Sequence, residues 1–233
     1  MKNNTALSRL LVGLLLTLAV YTIALFVGSR WHLNSEFVVD SFLTQAVMLT
    51  LSVALIVALK TQVNYRIAMP KFKPALRAFL IGLVATLAVN ATTGILTFVI
   101  TGRGEMHPFF EKTSALQFLV FAFFFAPVAE EHLFRGFLQN YLRPLGDKGF
   151  MLFHRRISLP VLISALSFSL AHLSLLIKGV GVLFMIRTLL FTFVLGLIAG
   201  YYQEKHNNIV YAILVHMAGN FLGLFAAIAL GVI

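Results

Sequence analysis

Residues 157–177 read ISLPVLISALSFSLAHLSLLI, a run of 21 positions without an Asp, Glu, Lys or Arg. A helix that crosses the hydrocarbon core of a bilayer, about 30 Å thick, needs roughly 20 mainly apolar residues. Charge-free runs of similar length lie on both sides of this one, toward each end of the chain. Together the runs predict seven membrane-spanning helices, at residues 10–29, 42–59, 78–101, 116–138, 159–177, 180–203 and 209–231.

The composition of the chain agrees with a protein that lipid surrounds. Of its 233 residues, 60% are hydrophobic and only 11% are charged, against about 25% charged in soluble domains. The chain has no cysteine, which excludes disulfides, thiol nucleophiles and thiolate metal sites. A net charge of +10 could indicate nucleic-acid binding, but the bases are scattered between apolar runs, so we expect no nucleic-acid partner. The sequence predicts an all-α polytopic transmembrane bundle of seven or eight spans, forming a single integral membrane domain over residues 1–233.

The distribution of Lys and Arg over the short loops predicts the orientation of the bundle. With a cytoplasmic N-terminus, twelve bases fall on the inside and four on the outside. We therefore expect a cytoplasmic N-terminus, and the compact loops favour an integral protein of a bacterial inner membrane. The first span should be retained because it is longer than the apolar region of a signal peptide. The inside bases are Lys2, Arg9, Lys60, Arg66, Lys71, Lys73, Arg77, Arg143, Lys148, Arg155, Arg156 and Lys205, and the outside bases are Arg30, Arg103, Lys112 and Lys178.

Two adjacent acids interrupt the fourth apolar run, FFFAPVAEEHLFRGFL at residues 123–138. Ionisable groups within the hydrocarbon region are costly and commonly mark function. Glu131 and Arg135 are spaced i,i+4 with the acid first, the favourable order for a helical ion pair, whereas Glu130 points about 100° away and is free for another task. Pro127 can kink the helix beside the acids. The alternative is a charge cluster at a helix end whose side chains reach the interface.

Three further polar side chains lie in the fifth and seventh apolar runs. His172 is the ionisable residue of the fifth, and His216 and Asn220 share one face of the seventh because they are spaced i,i+4. Each alone could be a hydrogen-bonding group between helices. Counting about 1.5 Å per residue, these groups and Glu130 lie roughly 10–20 Å from the cytoplasmic helix ends. Three helices thus bring an acid, two imidazoles and an amide into one half of the membrane.

These side chains could hydrolyse a carbonyl compound in two ways. A carboxylate and an imidazole can activate water for attack, while a second imidazole and a carboxamide stabilise the developing oxyanion. Alternatively, Glu130, His172 and His216 are three acceptable zinc ligands, with water in the fourth position. A serine hydrolase is less favoured because the chain has no GxSxG sequence. The residues themselves leave the metal-free and zinc mechanisms open.

Three short motifs resemble those of a known family. EEHLFR at 130–135, FSLAH at 168–172 and HMAGN at 216–220 resemble the EExxxR, FxxxH and HxxxN motifs of the CPBP family of intramembrane CAAX-prenyl endopeptidases and bacteriocin-processing or immunity proteins. The resemblance spans about residues 116–225 and keeps the family order of the motifs. It implies a membrane endopeptidase in which Glu130 and His172 activate water, His216 and Asn220 stabilise the oxyanion, and Glu131 and Arg135 orient the site.

From the motifs together we expect an intramembrane endopeptidase of the CAAX-prenyl-protease type. Its partners would be membrane lipid and a protein or peptide substrate, prenylated or membrane-embedded. We expect no cofactor, and a zinc-dependent version of the same protease is the alternative chemistry. A non-catalytic bacteriocin immunity or scaffold protein is a second alternative. A small transporter that uses Glu130 and His172 as a proton relay would need a repeated topology, which the sequence lacks.

Overall fold

The computed structural model describes residues 2–102 and 113–229. Within these ranges seven helices follow one another, within several residues of the predicted places. Arg103, Lys112 and the end of the predicted seventh helix at residues 230–231 lie outside the described ranges. The helices are α1 Lys2–Arg30, α2 Phe42–Ala58, α3 Phe72–Thr101, α4 Ala115–Gln139, α5 Leu159–Ala171, α6 Val182–His206 and α7 Val210–Ala229.

The helices are those of an integral membrane protein. Five helical segments in the described residues are long and apolar enough to cross a bilayer unaided, and α2 and α7 are shorter apolar helices. Large apolar side chains cover the outer surface of the bundle, as lipid contact requires. The five segments are Thr5–Arg30, Phe72–Thr101, Ala115–Gln139, Leu159–Ile177 and Val182–His206.

Helix α4 departs from the regular α-helix that its apolar pattern predicts. Only Ala126–Glu131, in the middle, is a regular α-helix of more than one turn; the segments on either side of it, Phe118–Phe125 and His132–Gln139, are π-helical. Pro127 lies at the start of the regular turn and has no backbone N–H to donate. The wider turns of a π-helix are rare in proteins, and those that occur often lie at functional sites.

Three short elements were not expected from the sequence. Helix α5 tightens into a 3₁₀-helix at His172–Lys178, within the predicted fifth span. The connection between α4 and α5 contains a 3₁₀ turn, Arg143–Leu145, and an antiparallel hairpin of β1 Gly149–Leu152 and β2 Arg155–Ser158. The strands are four residues each and form the one sheet of the described ranges, where loops at 31–41 and 59–71 join the first three helices.

Helix α4 lies at the centre of the bundle. Its second half packs against α1, α2, α5 and α6, and its first half packs against α7. Leu133, Phe134 and Phe137 of this helix are almost completely buried, together with Phe168 of α5 and Met48 of α2. Because α4 carries both acids, this packing places the carboxylates between helices rather than against lipid.

Candidate active site

Glu131 and Arg135 of the first motif form a fully buried ion pair. Arg135 Nη1 donates to Glu131 Oε1 at 2.8 Å, as the i,i+4 spacing predicts, and neither side chain is exposed. The Glu131 Oε1 atom also accepts a hydrogen bond of 2.8 Å from Nδ1 of His216, on α7. One carboxylate oxygen therefore joins α4 to α7.

His216 lies between two carboxylates. With Nδ1 directed to Glu131, its Nε2 faces Glu130, whose Oε2 is 3.9 Å away. The Glu130 side chain is 17% exposed, whereas that of Glu131 is sealed at 1%. The two neighbouring acids thus occupy different environments: Glu131 is closed off from solvent, and Glu130 is accessible.

The second oxygen of Glu130 is bound by a residue that the sequence reasoning missed. Gln45 of α2 donates from Nε2 to Glu130 Oε1 at 2.8 Å. An amide within the apolar run of α2 was a signal, because polar side chains in membrane helices commonly hydrogen-bond across to another helix. Nothing in the local pattern named Glu130 as its partner, 85 residues further along the chain.

His172 lies where α5 changes to the 3₁₀-helix. Its Nδ1 donates to the Phe168 carbonyl oxygen at 2.9 Å, an assignment that follows from the acceptor, since a carbonyl oxygen can only accept. The lone pair is therefore on Nε2. His172 is partly exposed, and its Nε2 is available to a water molecule or substrate.

The Phe168 ring links the two imidazoles. Its edge-to-face contacts place the ring centroids of His172 and His216 at 5.0 and 5.3 Å, and the Arg135 guanidinium carbon lies 4.6 Å above the ring. Such a cation–π contact stabilises a desolvated cation. The phenylalanine of the FxxxH motif is therefore a wall shared by three polar side chains, a role that its spacing alone did not indicate.

Asn220 donates the hydrogen bond that Pro127, which has no backbone N–H, cannot donate. Ala126 N–H donates to the Phe121 carbonyl, in the π-helical manner, and the next residue, Pro127, has no N–H for the following carbonyl. That carbonyl belongs to Ala122, and Asn220 Nδ2 donates to it at 2.8 Å. The Asn220 amide group has a second N–H, which this contact leaves free.

His132 makes hydrogen bonds outside the site. Its Nδ1 donates to the Val128 carbonyl at 2.6 Å, and its Nε2 lies 2.9 Å from the Tyr65 hydroxyl. Burial raises the pKa of Tyr65, which lies in the loop between α2 and α3. This pair fastens that loop to α4 rather than joining the carboxylate cluster.

The three side chains considered as zinc ligands do not form a ligand set as they lie. Among residues 2–102 and 113–229, no three His, Asp or Glu side chains are grouped so that they could hold a metal ion. His216 uses Nδ1 for Glu131, and its Nε2 stays 3.9 Å from Glu130.

Gly196 of α6 allows close packing against Arg135. A Cβ at this position would lie 2.8 Å from Arg135 Nη2 and 3.1 Å from Ala165 Cα. We expect Gly196→Ala to destabilise the protein by about 1–3 kcal/mol, because the guanidinium is held by its ion pair and the α5 backbone must shift. Thermal unfolding in detergent measures the loss. Gly94→Ala is the matched control, since a Cβ added there would meet no heavy atom within 4 Å beyond its own stretch of helix. Equal stability of the two variants would contradict the prediction.

Comparison with known proteins agrees with the motifs. Residues 112–222 match the family described as Type II CAAX prenyl endopeptidase Rce1-like, and this region contains all six predicted site residues. No curated protein and no solved structure matches the chain. The resemblance to CAAX-type intramembrane proteases is confirmed by this match. Over residues 112–222, somewhat less than half of the chain, the protein is similar to this family of CAAX-type proteases.

Proposed function

We propose that this protein is an intramembrane endopeptidase of the CAAX-prenyl type, with Glu130 as the general base. The observation that carries the proposal is the pair of unlike carboxylates on either side of His216. Glu131 is sealed and bound to both Arg135 and His216, whereas Glu130 is accessible and has one oxygen directed toward the imidazole. Only an accessible carboxylate can take a proton from water and later release it.

The reaction follows from these positions. Glu130 removes a proton from a water molecule held with His172 Nε2, and the hydroxide forms a bond to the scissile carbonyl carbon. The carbonyl oxygen becomes an oxyanion, which accepts hydrogen bonds from the free N–H of Asn220 and from His216 when Nε2 is protonated. As the oxyanion collapses, the C–N bond breaks and Glu130 returns its proton to the leaving amine.

Glu131 and Arg135 act through other groups. Glu131 holds Nδ1 of His216, so the ring turns Nε2 toward Glu130. Arg135 neutralises Glu131 and packs on Phe168, the wall between the two imidazoles. These contacts support an orienting role for both residues. A preorganised site of this kind needs little rearrangement when charge develops.

The proposed setting is a bacterial inner membrane with a cytoplasmic N-terminus. The excess of Lys and Arg in the loops on that side supports the orientation. Helices α1 and α2 pack on α4, which supports one domain over residues 1–233, including the part that precedes the family region. The proposed substrate is a prenylated or membrane-embedded peptide, because the site lies on spanning helices.

A cleavage assay with purified protein in detergent tests the proposal. The probe is a peptide ending in a farnesylated cysteine and three further residues, and release of those residues is measured. We expect turnover in the wild type, none in Glu130→Ala, and wild-type turnover in Glu36→Ala, whose carboxylate is exposed and outside the site.

Other outcomes of the same assay separate the alternatives. Turnover that persists in Glu130→Ala contradicts the general-base assignment. Loss of activity on chelation, restored by Zn²⁺, favours the zinc-dependent protease. A wild-type protein that binds the peptide without cleaving it favours the immunity or scaffold function.

A further inference from the structure

Gln45 lies on α2, outside the region that matches the family, yet it contacts the proposed general base. Its Nε2 donates to Glu130 Oε1 at 2.8 Å. Its own Oε1 is buried and has no hydrogen-bond partner in the described part of the chain. A buried amide whose one strong contact is an acid of the site is more than helix packing requires, because an apolar side chain would fill the same space.

Helix α2 is fixed against α4 at this level. The Phe42 ring, one turn before Gln45, contacts the rings of Phe121 and Phe125 with centroid separations of 5.6 and 5.1 Å. These contacts hold the Gln45 backbone at a set distance from the helix that carries Glu130. The amide can therefore select one conformer of the carboxylate.

That conformer determines which oxygen is free. With Oε1 bound to Gln45, Oε2 is the oxygen directed toward His216, at 3.9 Å. Without the donor, the Glu130 side chain can rotate and place either oxygen elsewhere. A hydrogen bond to a charged group is stronger than one between neutral groups, so its loss costs the ordered conformer much of its population.

We propose that Gln45 is a positioning residue for Glu130, which makes α2 part of the catalytic unit. The inference rests on the proposed function. It gives the region before the family match an indirect part in the reaction, through the orientation of the Glu130 carboxylate.

Gln45→Met tests the inference, since methionine keeps the unbranched length and removes the donor. We expect kcat to fall about 10- to 100-fold, the loss expected for a hydrogen bond to a charged group, with KM unchanged within about twofold. Gln45→Asn keeps the amide group on a shorter side chain and should recover part of kcat.

Gln117→Met is the matched control for a structural glutamine. Gln117 donates from Nε2 to the carbonyls of Glu36 and Phe37 and contacts no site residue. We expect it to lower the unfolding temperature and leave kcat unchanged. Wild-type kcat in Gln45→Met, or a fall in unfolding temperature alone, overturns the positioning role and leaves the proposed function standing. Absence of turnover in the wild type overturns both.

A separate observation concerns the hairpin between α4 and α5. Its turn residues Phe153 and His154 have positive φ values of 44° and 62°, which two-residue hairpins normally give to Asn and Gly. Phe153 is 89% exposed, and Phe150 and Met151 of β1 are exposed as well. A strained turn that presents an aromatic side chain indicates a contact that balances its cost.

The position and charge of the hairpin indicate what that contact is. Strand β2 ends at Ser158, which caps the first turn of the spanning helix α5. The hairpin therefore adjoins the membrane boundary. Arg155 and Arg156 follow the apolar turn, and Lys148 precedes β1. Exposed apolar groups among bases are complementary to a bilayer surface that contains anionic lipid. We infer that the hairpin lies on that surface with Phe153 inserted between headgroups.

A single-tryptophan protein tests this arrangement, since Trp31 is the one tryptophan of the sequence. Trp31→Phe combined with Phe153→Trp is reconstituted in phosphatidylcholine bilayers with and without phosphatidylglycerol. We expect blue-shifted emission and quenching by brominated acyl chains, stronger with phosphatidylglycerol and reduced by Lys148→Gln. Emission as in water without quenching overturns the inference, and would point to a protein as the occupant.

Discussion

Replacement of Glu130 by glutamine is expected to lower kcat by about 10²- to 10⁴-fold, the usual contribution of a general base. An amide has nearly the shape of the carboxylate but cannot take a proton from water. Its oxygen can still accept from Gln45, and its N–H₂ can donate to Nε2 of His216, so both contacts of Glu130 have a neutral counterpart. The loss should therefore be in the reaction and not in the fold.

Two measurements separate these effects. Steady-state kinetics with the farnesylated peptide should give a reduced kcat and little change in KM, because Glu130 acts on water. Thermal unfolding of the same sample should be within a few degrees of the wild type. Glu36→Gln makes the same chemical change at an exposed position and should retain full activity. A large fall in unfolding temperature for Glu130→Gln would show instead that Glu130 is structural.

The helical spans follow from the sequence because each depends on a local quantity. A bilayer requires an unbroken apolar length, and the 21 charge-free residues at 157–177 meet that requirement whatever the rest of the chain does. The Glu131–Arg135 pair follows for the same reason, since i,i+4 spacing on a helix determines the distance. Local patterns of this kind need no knowledge of the neighbouring helices.

Contacts between distant segments could not be predicted in the same way. The helix periodicity of α2 does not show that Gln45 faces Glu130, because the rotation of α2 about its axis is set by the Phe42 contacts with α4. The bond from Asn220 to the Ala122 carbonyl depends on the π-turn before Pro127. The family resemblance implied an oxyanion-donor role for Asn220, whereas its hydrogen bond to the Ala122 carbonyl could be seen only once the backbone path was known.

The hairpin shows a further limit. Residues 149–158 contain exposed apolar and basic side chains in no clear alternation, and their turn has Phe and His where a hairpin signal would have Asn and Gly. A pattern that violates turn preferences cannot be found by searching for them. Such violations are expected at functional or strained positions.

Removal of the cation from the buried Glu131–Arg135 pair is expected to destabilise the protein strongly. Arg135→Met leaves the Glu131 carboxylate sealed from water with His216 as its remaining partner. Breaking a buried pair on one side costs about 3–5 kcal/mol, because the remaining charge is desolvated and uncompensated. Chemical unfolding of the purified protein in mixed detergent measures the loss.

A double variant distinguishes the cost of the unpaired charge from the value of the pair. Replacing both partners of a buried ion pair by apolar residues of similar volume is often neutral or stabilising. We therefore expect Glu131→Leu/Arg135→Met to regain most of the stability that Arg135→Met loses. It should regain no activity, because His216 Nδ1 then has no acceptor and the ring no longer presents Nε2 to Glu130. A double variant as unstable as the single one would mean that Arg135 acts chiefly through its packing on Phe168, whereas recovery of turnover would remove Glu131 from the orienting role.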